Sequence, residues 1–198
     1  LYQQKKSVEE IDTFLLTFTQ NNLDNILSLE SANYYMFKNK NDKVKLKKLQ
    51  DLIAPHHPLF KNHTVLNVHA SLETLLKVNH INIAKYPFVD IEGNDAIIEL
   101  EPQKTYILDL WFMNCLPCIK DHQKFQKNTQ LLANHQIELI GLSIDDNQEE
   151  WGQFIRAKNY PWKNYRQTKY EGSLRQELLV EVFPTYFLIE GNGTILRT

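Results

Sequence analysis

Cysteine is scarce in this chain: 198 residues hold two, and they stand three positions apart, at 115 and 118. A secreted fold stapled by disulfides needs several cysteines spread along the chain. A structural zinc site needs four ligands, usually two such pairs. One close pair serves neither purpose and points to redox work. Long apolar runs are also missing. Spanning a bilayer takes about 20 apolar residues, whereas the longest runs here, Ile107–Met113 and Thr185–Ile189, are strand-sized. Charge shows no excess of either sign. Lys plus Arg number 22 against 24 Asp plus Glu, for a net charge of −2, and the two signs alternate along most of the chain. With no basic face, a nucleic-acid partner is not expected, and the lysines from Lys38 to Lys48 read as a solvated helix face. There is no internal repeat and no low-complexity segment. The chain opens at Leu1-Tyr2-Gln3, with neither an initiator Met nor a signal peptide, so it reads as part of a longer precursor.

What is present suffices for a packed protein, since 42% of the residues are hydrophobic. Residues 1–80 read as a helical region. Ser7 and Glu10 form a capping box ahead of Ile11, Phe14, Leu15 and Phe18, which share one helical face. Further helices are expected over about 24–37, 42–53 and 64–78, with Pro55 and Pro58 ending the third. His56, His57, His63 and His69 crowd the last loop and helix start, but their spacings fit no metal-ligand pattern, and no metal site is expected.

Residues 81–198 change in texture. Phe88–Ile91 and Ala96–Leu100, joined by Glu92-Gly93-Asn94-Asp95, read as a hairpin. Thr105–Phe112 is a near-continuous apolar run, the mark of a strand buried on both faces. A helix over about 118–134 follows, then a buried strand Ile137–Ile144, a helix over about 148–158 and a short one over 173–180. Thr185–Ile189 and Thr194–Arg197 make a closing hairpin. The fold class expected is α/β, a mixed central sheet flanked by helices and preceded by the helical region.

The cysteine pair sits where the buried strand turns into a helix. The first helical turn offers unpaired N–H groups and the positive end of the helix dipole. A thiolate there is favoured over a thiol, which makes Cys115 the expected exposed attacker. Cys118, one turn on and within disulfide reach, is the more buried resolving thiol. Pro117 suits the first turn, where its missing N–H is no loss. Asp109 lies six residues before Cys115 in the apolar run. Burial there raises its pKa, so that it can take the Cys118 proton and return it; the alternative is a carboxylate turned outward at a sheet edge. Trp111 is a candidate shield for the sulfurs. Asp121 is either an active-site carboxylate or an ordinary first-turn acid, and His122 reads as a solvated helix histidine. Phe183-Pro184-Thr185 opens a strand. From the residues alone the Phe183–Pro184 bond is expected trans, because only about 5–6% of X–Pro bonds are cis.

These features together resemble the thioredoxin superfamily and, within it, the bacterial TlpA/ResA-like extracytoplasmic thiol–disulfide oxidoreductases. The likeness covers residues 82–198. It rests on Asp109-Leu110-Trp111, the Cys115-Leu116-Pro117-Cys118 motif, the stretch from Leu142 to Trp151 (LSIDDNQEEW), and Pro184-Thr185 followed by Leu188-Ile189-Glu190-Gly191-Asn192-Gly193. The resemblance implies a thioredoxin-like fold with Cys115 as nucleophile, Cys118 as resolving thiol and Pro184 as a cis proline. Asp109 takes the place of the buried acid, and Asp121 that of an active-site carboxylate. Trp111, Pro117, Phe183, Pro184 and Thr185 then contact the substrate. No cofactor beyond the Cys115–Cys118 disulfide is implied. The implied partners are protein thiols and disulfides and a membrane-bound electron donor, in the bacterial cell envelope, with the full-length precursor exported or lipid-anchored. Asn114, Leu116 and Phe183 depart from the usual residues at their positions, and the expected closing helix does not follow Thr198. Two other functions stay open at this point: a thioredoxin-fold binding module without catalysis, and a peroxiredoxin-like peroxidase. The peroxidase would call for Thr at position 112, where this chain has Phe.

Overall fold

The computed structural model describes residues 7–40, 42–56, 67–168 and 171–197. It forms two compact units, one ending at Val78 and the other opening at Asn79.

The first unit is helical. Helix α1 (Val8–Asn21) starts at the capping box: the Ser7 hydroxyl accepts the Glu10 N–H at 3.2 Å, and the Glu10 carboxylate accepts the Ser7 N–H at 2.5 Å. Asn25 caps α2 (Ile26–Lys38), Asp42 caps α3 (Lys43–Ile53) and Asn67 caps α4 (Val68–Lys77). Each side-chain oxygen fills an N–H that the first turn leaves unpaired. The apolar faces of the four helices close over Leu29, Met36, Leu46, Leu49, Ile53 and Leu72. One acid ties three segments together. Asp12 in α1 accepts from Lys38 at 2.5 Å, Lys45 at 2.7 Å and Asn39 at 3.0 Å. Burial would raise its pKa, but these donors outweigh it and hold the carboxyl down at about 2. Pro58, Thr64 and Val65, expected to bound the third and fourth helices, lie outside the described residues, as do His57 and His63.

The second unit is built on a seven-stranded sheet, ordered β2-β1-β5-β4-β3-β6-β7. Strand β3 (Thr105–Trp111) is central. It pairs in parallel with β4 (Ile137–Ser143), from Thr105 opposite Ile137 to Trp111 opposite Ser143, and antiparallel with β6 (Thr185–Glu190). Buried strands rich in β-branched and aromatic residues belong in such a position. Strand β7 (Ile195–Arg197) closes the hairpin with β6. The leading hairpin is shorter than expected, with β1 at Phe88–Val89 and β2 at Asp95–Ala96. The Asp90 carboxylate accepts the N–H groups of Glu92 and Asn94, each at 2.9 Å, and Gly93 supplies the positive φ of +90° that the turn needs.

Three expectations are corrected. The helix after the cysteines starts earlier, at Leu116, and is two helices, α5 (Leu116–Lys127) and α6 (Thr129–Asn134). Asn128 leaves helical geometry, and its side-chain amide bonds back to the Lys124 carbonyl at 2.8 Å, a local competition typical of Asn. After α7 (Gln148–Lys158) comes a strand that the sequence does not announce, β5 (Lys163–Gln167). Its KNYRQ run is polar, and it is a strand because it is inserted between β4 and β1. The short helix over 173–180 shrinks to α8 (Leu174–Glu177). Among the described residues, no helix is long and apolar enough to cross a membrane.

Candidate active site at the end of the central strand

Strand β3 delivers Asp109 and Trp111 to the edge of a short loop, and α5 begins within that loop. Cys115 is the N-cap of α5, and its Sγ accepts the Cys118 N–H at 3.2 Å. Leu116 and Pro117 occupy the first helical positions, where Pro costs no hydrogen bond. Cys115 and Cys118 are joined as a disulfide, with a Cα–Cα distance of 5.3 Å. Capping by a sulfur puts it at the positive end of the helix, where negative charge is stabilised.

Cys115 is 4% exposed and Cys118 fully buried. The expected order of burial holds, but Cys115 is not an exposed attacker. Both sulfurs share an apolar cluster with Trp111, Trp151 and Ile155, against which Phe112, Met113 and Phe183 pack. Trp111 is fully buried within that cluster. The Phe183–Pro184 peptide bond is cis, in agreement with the resemblance and against the trans default. The Phe183 ring meets the Phe112 ring edge-on at 5.4 Å, and the Thr185 hydroxyl donates to the Val182 carbonyl at 2.6 Å. Beside this buried pair, Leu116 is 74% and Val182 63% exposed.

Asp109 is buried inside the sheet and not at an edge. Burial raises its pKa, and a hydrogen bond with His122 works in the opposite direction. That histidine corrects the sequence reading. His122 has no exposure at all, and its Nε2 lies 2.6 Å from Asp109 Oδ2. It is enclosed by Trp111, Tyr160 and Trp162, with ring centroids at 4.8, 4.9 and 5.6 Å. The signal available in the sequence was its position four after Cys118, on the same helical face.

Asp121 sits at the α5 surface. Lys124 donates to one oxygen at 2.6 Å and the Tyr186 hydroxyl to the other at 3.1 Å. The Lys124 bond is the main cause holding its carboxyl below the usual range. Asp145, which the sequence reading passed over, supports the loop before the cysteines by accepting the Met113 N–H and the Ser143 hydroxyl. Burial raises its pKa against these bonds. A separate cavity of about 640 Å³ opens at the other end of β3 and β4, lined by Lys104, Leu132, Glu138 and Trp162. Both cysteines lie away from it. Among the described residues, no group of three or more His, Cys, Asp or Glu side chains is placed to hold a metal ion.

A disulfide at the start of the helix that follows β3, a cis proline opening the neighbouring strand and this sheet order together define a thioredoxin fold. Residues 103–195 match the thioredoxin-like family model, so this stretch is similar to the thioredoxin superfamily. Solved structures agree. The thioredoxin domain of a thiol-disulfide oxidoreductase from Bacteroides vulgatus is 20% identical, with a TM-score of 0.52 over 61% of this chain and 88% of that one. A thiol:disulfide interchange protein from a Bacteroides species is 21% identical, with a TM-score of 0.50 over 57% of this chain and 74% of that one. A thioredoxin-like protein from Porphyromonas gingivalis is 20% identical, with a TM-score of 0.50 over 61% and 82%. At these identities the likeness is one of fold. No curated protein matches the chain in sequence.

Proposed function

We propose that this chain is a thiol–disulfide oxidoreductase of the TlpA/ResA-like kind, which reduces protein disulfides through Cys115 and Cys118. The observation that carries the reading is the placement of Cys115 Sγ as the N-cap acceptor of α5, bonded to Cys118 one turn on. In the dithiol state the Cys115 thiolate attacks a substrate disulfide, forms a mixed disulfide and expels one substrate thiolate. Cys118 then attacks Cys115 Sγ, closing the intramolecular disulfide and releasing the second substrate thiol. Two electrons pass from the cysteine pair to the substrate, and no cofactor beyond that pair is required. A membrane-bound donor in the bacterial envelope restores the dithiol, and the full-length precursor is exported or lipid-anchored. Asp109 manages the Cys118 proton, while Pro117, Phe183, Pro184 and Thr185 form the substrate-facing wall; Trp111, expected there as well, is fully buried and takes no place on that surface. Asp121 lends negative charge at the rim.

The test is insulin reduction by the dithiol form, together with trapping. A Cys118→Ser variant should accumulate a mixed disulfide with a substrate protein, whereas Cys115→Ser should neither trap nor reduce. Activity that survives Cys115→Ser overturns the reading. So does rapid peroxide turnover by the reduced protein, which would favour a peroxidase.

A further inference from the structure

Asp109 and His122 form a closed unit on the α5 face that also carries the resolving cysteine. His122 follows Cys118 by one helical turn, so the two side chains leave α5 on the same face. Asp109 reaches that face from β3 and meets His122 Nε2 at 2.6 Å. Both residues are fully buried. Each has a second polar atom, Asp109 Oδ1 and His122 Nδ1, that is buried without a hydrogen-bond partner. A buried polar atom left unpaired is costly, and such sites in folded proteins mark function as often as strain. In the structure Cys118 is in its disulfide and carries no proton. On reduction it becomes an S–H donor, and the two open atoms belong to the residues beside it.

We propose that His122 is a positioning residue whose hydrogen bond holds Asp109, so that the two form one proton-holding unit that takes the Cys118 proton during resolution of the mixed disulfide; this rests on the oxidoreductase reading above. The balance is simple. Cys118 Sγ–H gives its proton to the pair and the sulfur attacks Cys115 Sγ. A new Sγ–Sγ bond forms, the Cys115–substrate S–S bond breaks, and the substrate sulfur leaves as a thiolate. The pair then returns its proton to that thiolate. A pair that shares protons answers the difficulty of a lone buried carboxylate, whose ionised form has no water to stabilise it. Trp111, Tyr160 and Trp162 exclude solvent from the ring, so the proton stays on the pair until a sulfur takes it.

Other ionisable groups face this unit from the elements packed around it. From α5, Asp121 faces it with Lys124 bound to it, and is held ionised. From β6, Tyr186 is raised by burial, then by Asp109 and Asp121. From the segment before β5, burial and then Asp109 push Tyr160 up to about 12. None of the three changes charge around neutral pH.

The test follows mixed-disulfide resolution by stopped-flow between pH 5 and 9 in wild type, His122→Asn, Asp109→Asn and the double variant. Both single variants should slow resolution about tenfold or more near neutrality, within the range of general acid–base effects, and flatten the pH profile. The double variant should be no slower than the slower single, because the two act as one unit. A His122→Asn rate and profile equal to wild type overturns the inference, and so do multiplicative losses. If the variants fold poorly, the wild type decides. Imidazole 15N shifts of His122 should differ between the oxidised and reduced protein, and identical shifts overturn the proposal. Wild type that does not reduce insulin defeats the oxidoreductase reading itself, so the two failures are distinguishable.

Discussion

Asp145 accepts the Met113 backbone N–H on both carboxylate oxygens, at 3.0 and 3.1 Å, and takes the Ser143 hydroxyl at 2.7 Å. Met113 is two residues before Cys115, so this one carboxylate sets the backbone that leads into the disulfide. The anchor is itself held: Arg166 of β5 donates to the Asp145 carbonyl at 3.1 Å. Asp145→Ala should leave a buried N–H unpaired and cost about 1–3 kcal/mol. Amide exchange at Met113 should accelerate in step with the loss in urea unfolding. Unchanged protection at Met113 would show that the loop is held by its apolar packing alone.

In the helical unit, the prediction concerns Asp12. Its carboxyl is held at about 2, below the unfolded value of about 3.9. The resulting stability is present above the unfolded pKa and is lost as pH falls through the folded one. Asp12→Asn in the full chain should therefore cost about 1–2 kcal/mol at neutral pH. The difference from wild type should vanish toward pH 2, as read by thermal melts across that range.

Asp109 has the opposite sign. A raised acid binds its proton more tightly in the folded state, so the native protein gains on the unfolded chain at low pH and loses as pH rises through the folded value. The stability of oxidised wild type relative to Asp109→Asn should decline from about pH 4 upward. A difference that is constant across pH would mean that the carboxylate never pays a burial penalty.

Gly152 in α7 tests packing. Alanine is a better helix former by about 1 kcal/mol, so the substitution would stabilise an isolated helix. Here a Cβ would lie 2.8 Å from the Ile91 backbone carbonyl, and neither α7 nor that turn has a flexible end to move aside. Gly152→Ala should thus lower the melting temperature, with a net cost of about 1–2 kcal/mol.

The disulfide and its place at the start of a helix were legible because their signals are local. The apolar run ending at Trp111, the cysteine spacing and Pro117 all act within one strand and one helical turn. Asp109 could be read for the same reason, since the run around it fixes its burial. His122 could not, because its burial depends on Trp111, Tyr160 and Trp162, which reach it from separate segments. A histidine among Lys120, Asp121 and Lys124 looks solvated until those rings are placed. Strand β5 was hidden for a related reason: Asn164 and Gln167 are buried by neighbouring strands and carry no apolar alternation of their own. The sulfur of Cys115 was expected at the surface, but Cys115 lies in an apolar cluster with Trp151 and Ile155, against which Phe183 packs, and all three stand far along the chain.

Phe112 and Phe183 meet edge-on and pack against the apolar cluster that holds Cys115. A visiting polypeptide that parts these rings must replace their contact with greasy flanks of its own, or leave both wetted. On the proposed oxidoreductase reading, selection beside these rings works through shape and dehydration, and ionic strength should alter the encounter far less than the residues bordering the visitor's cysteine.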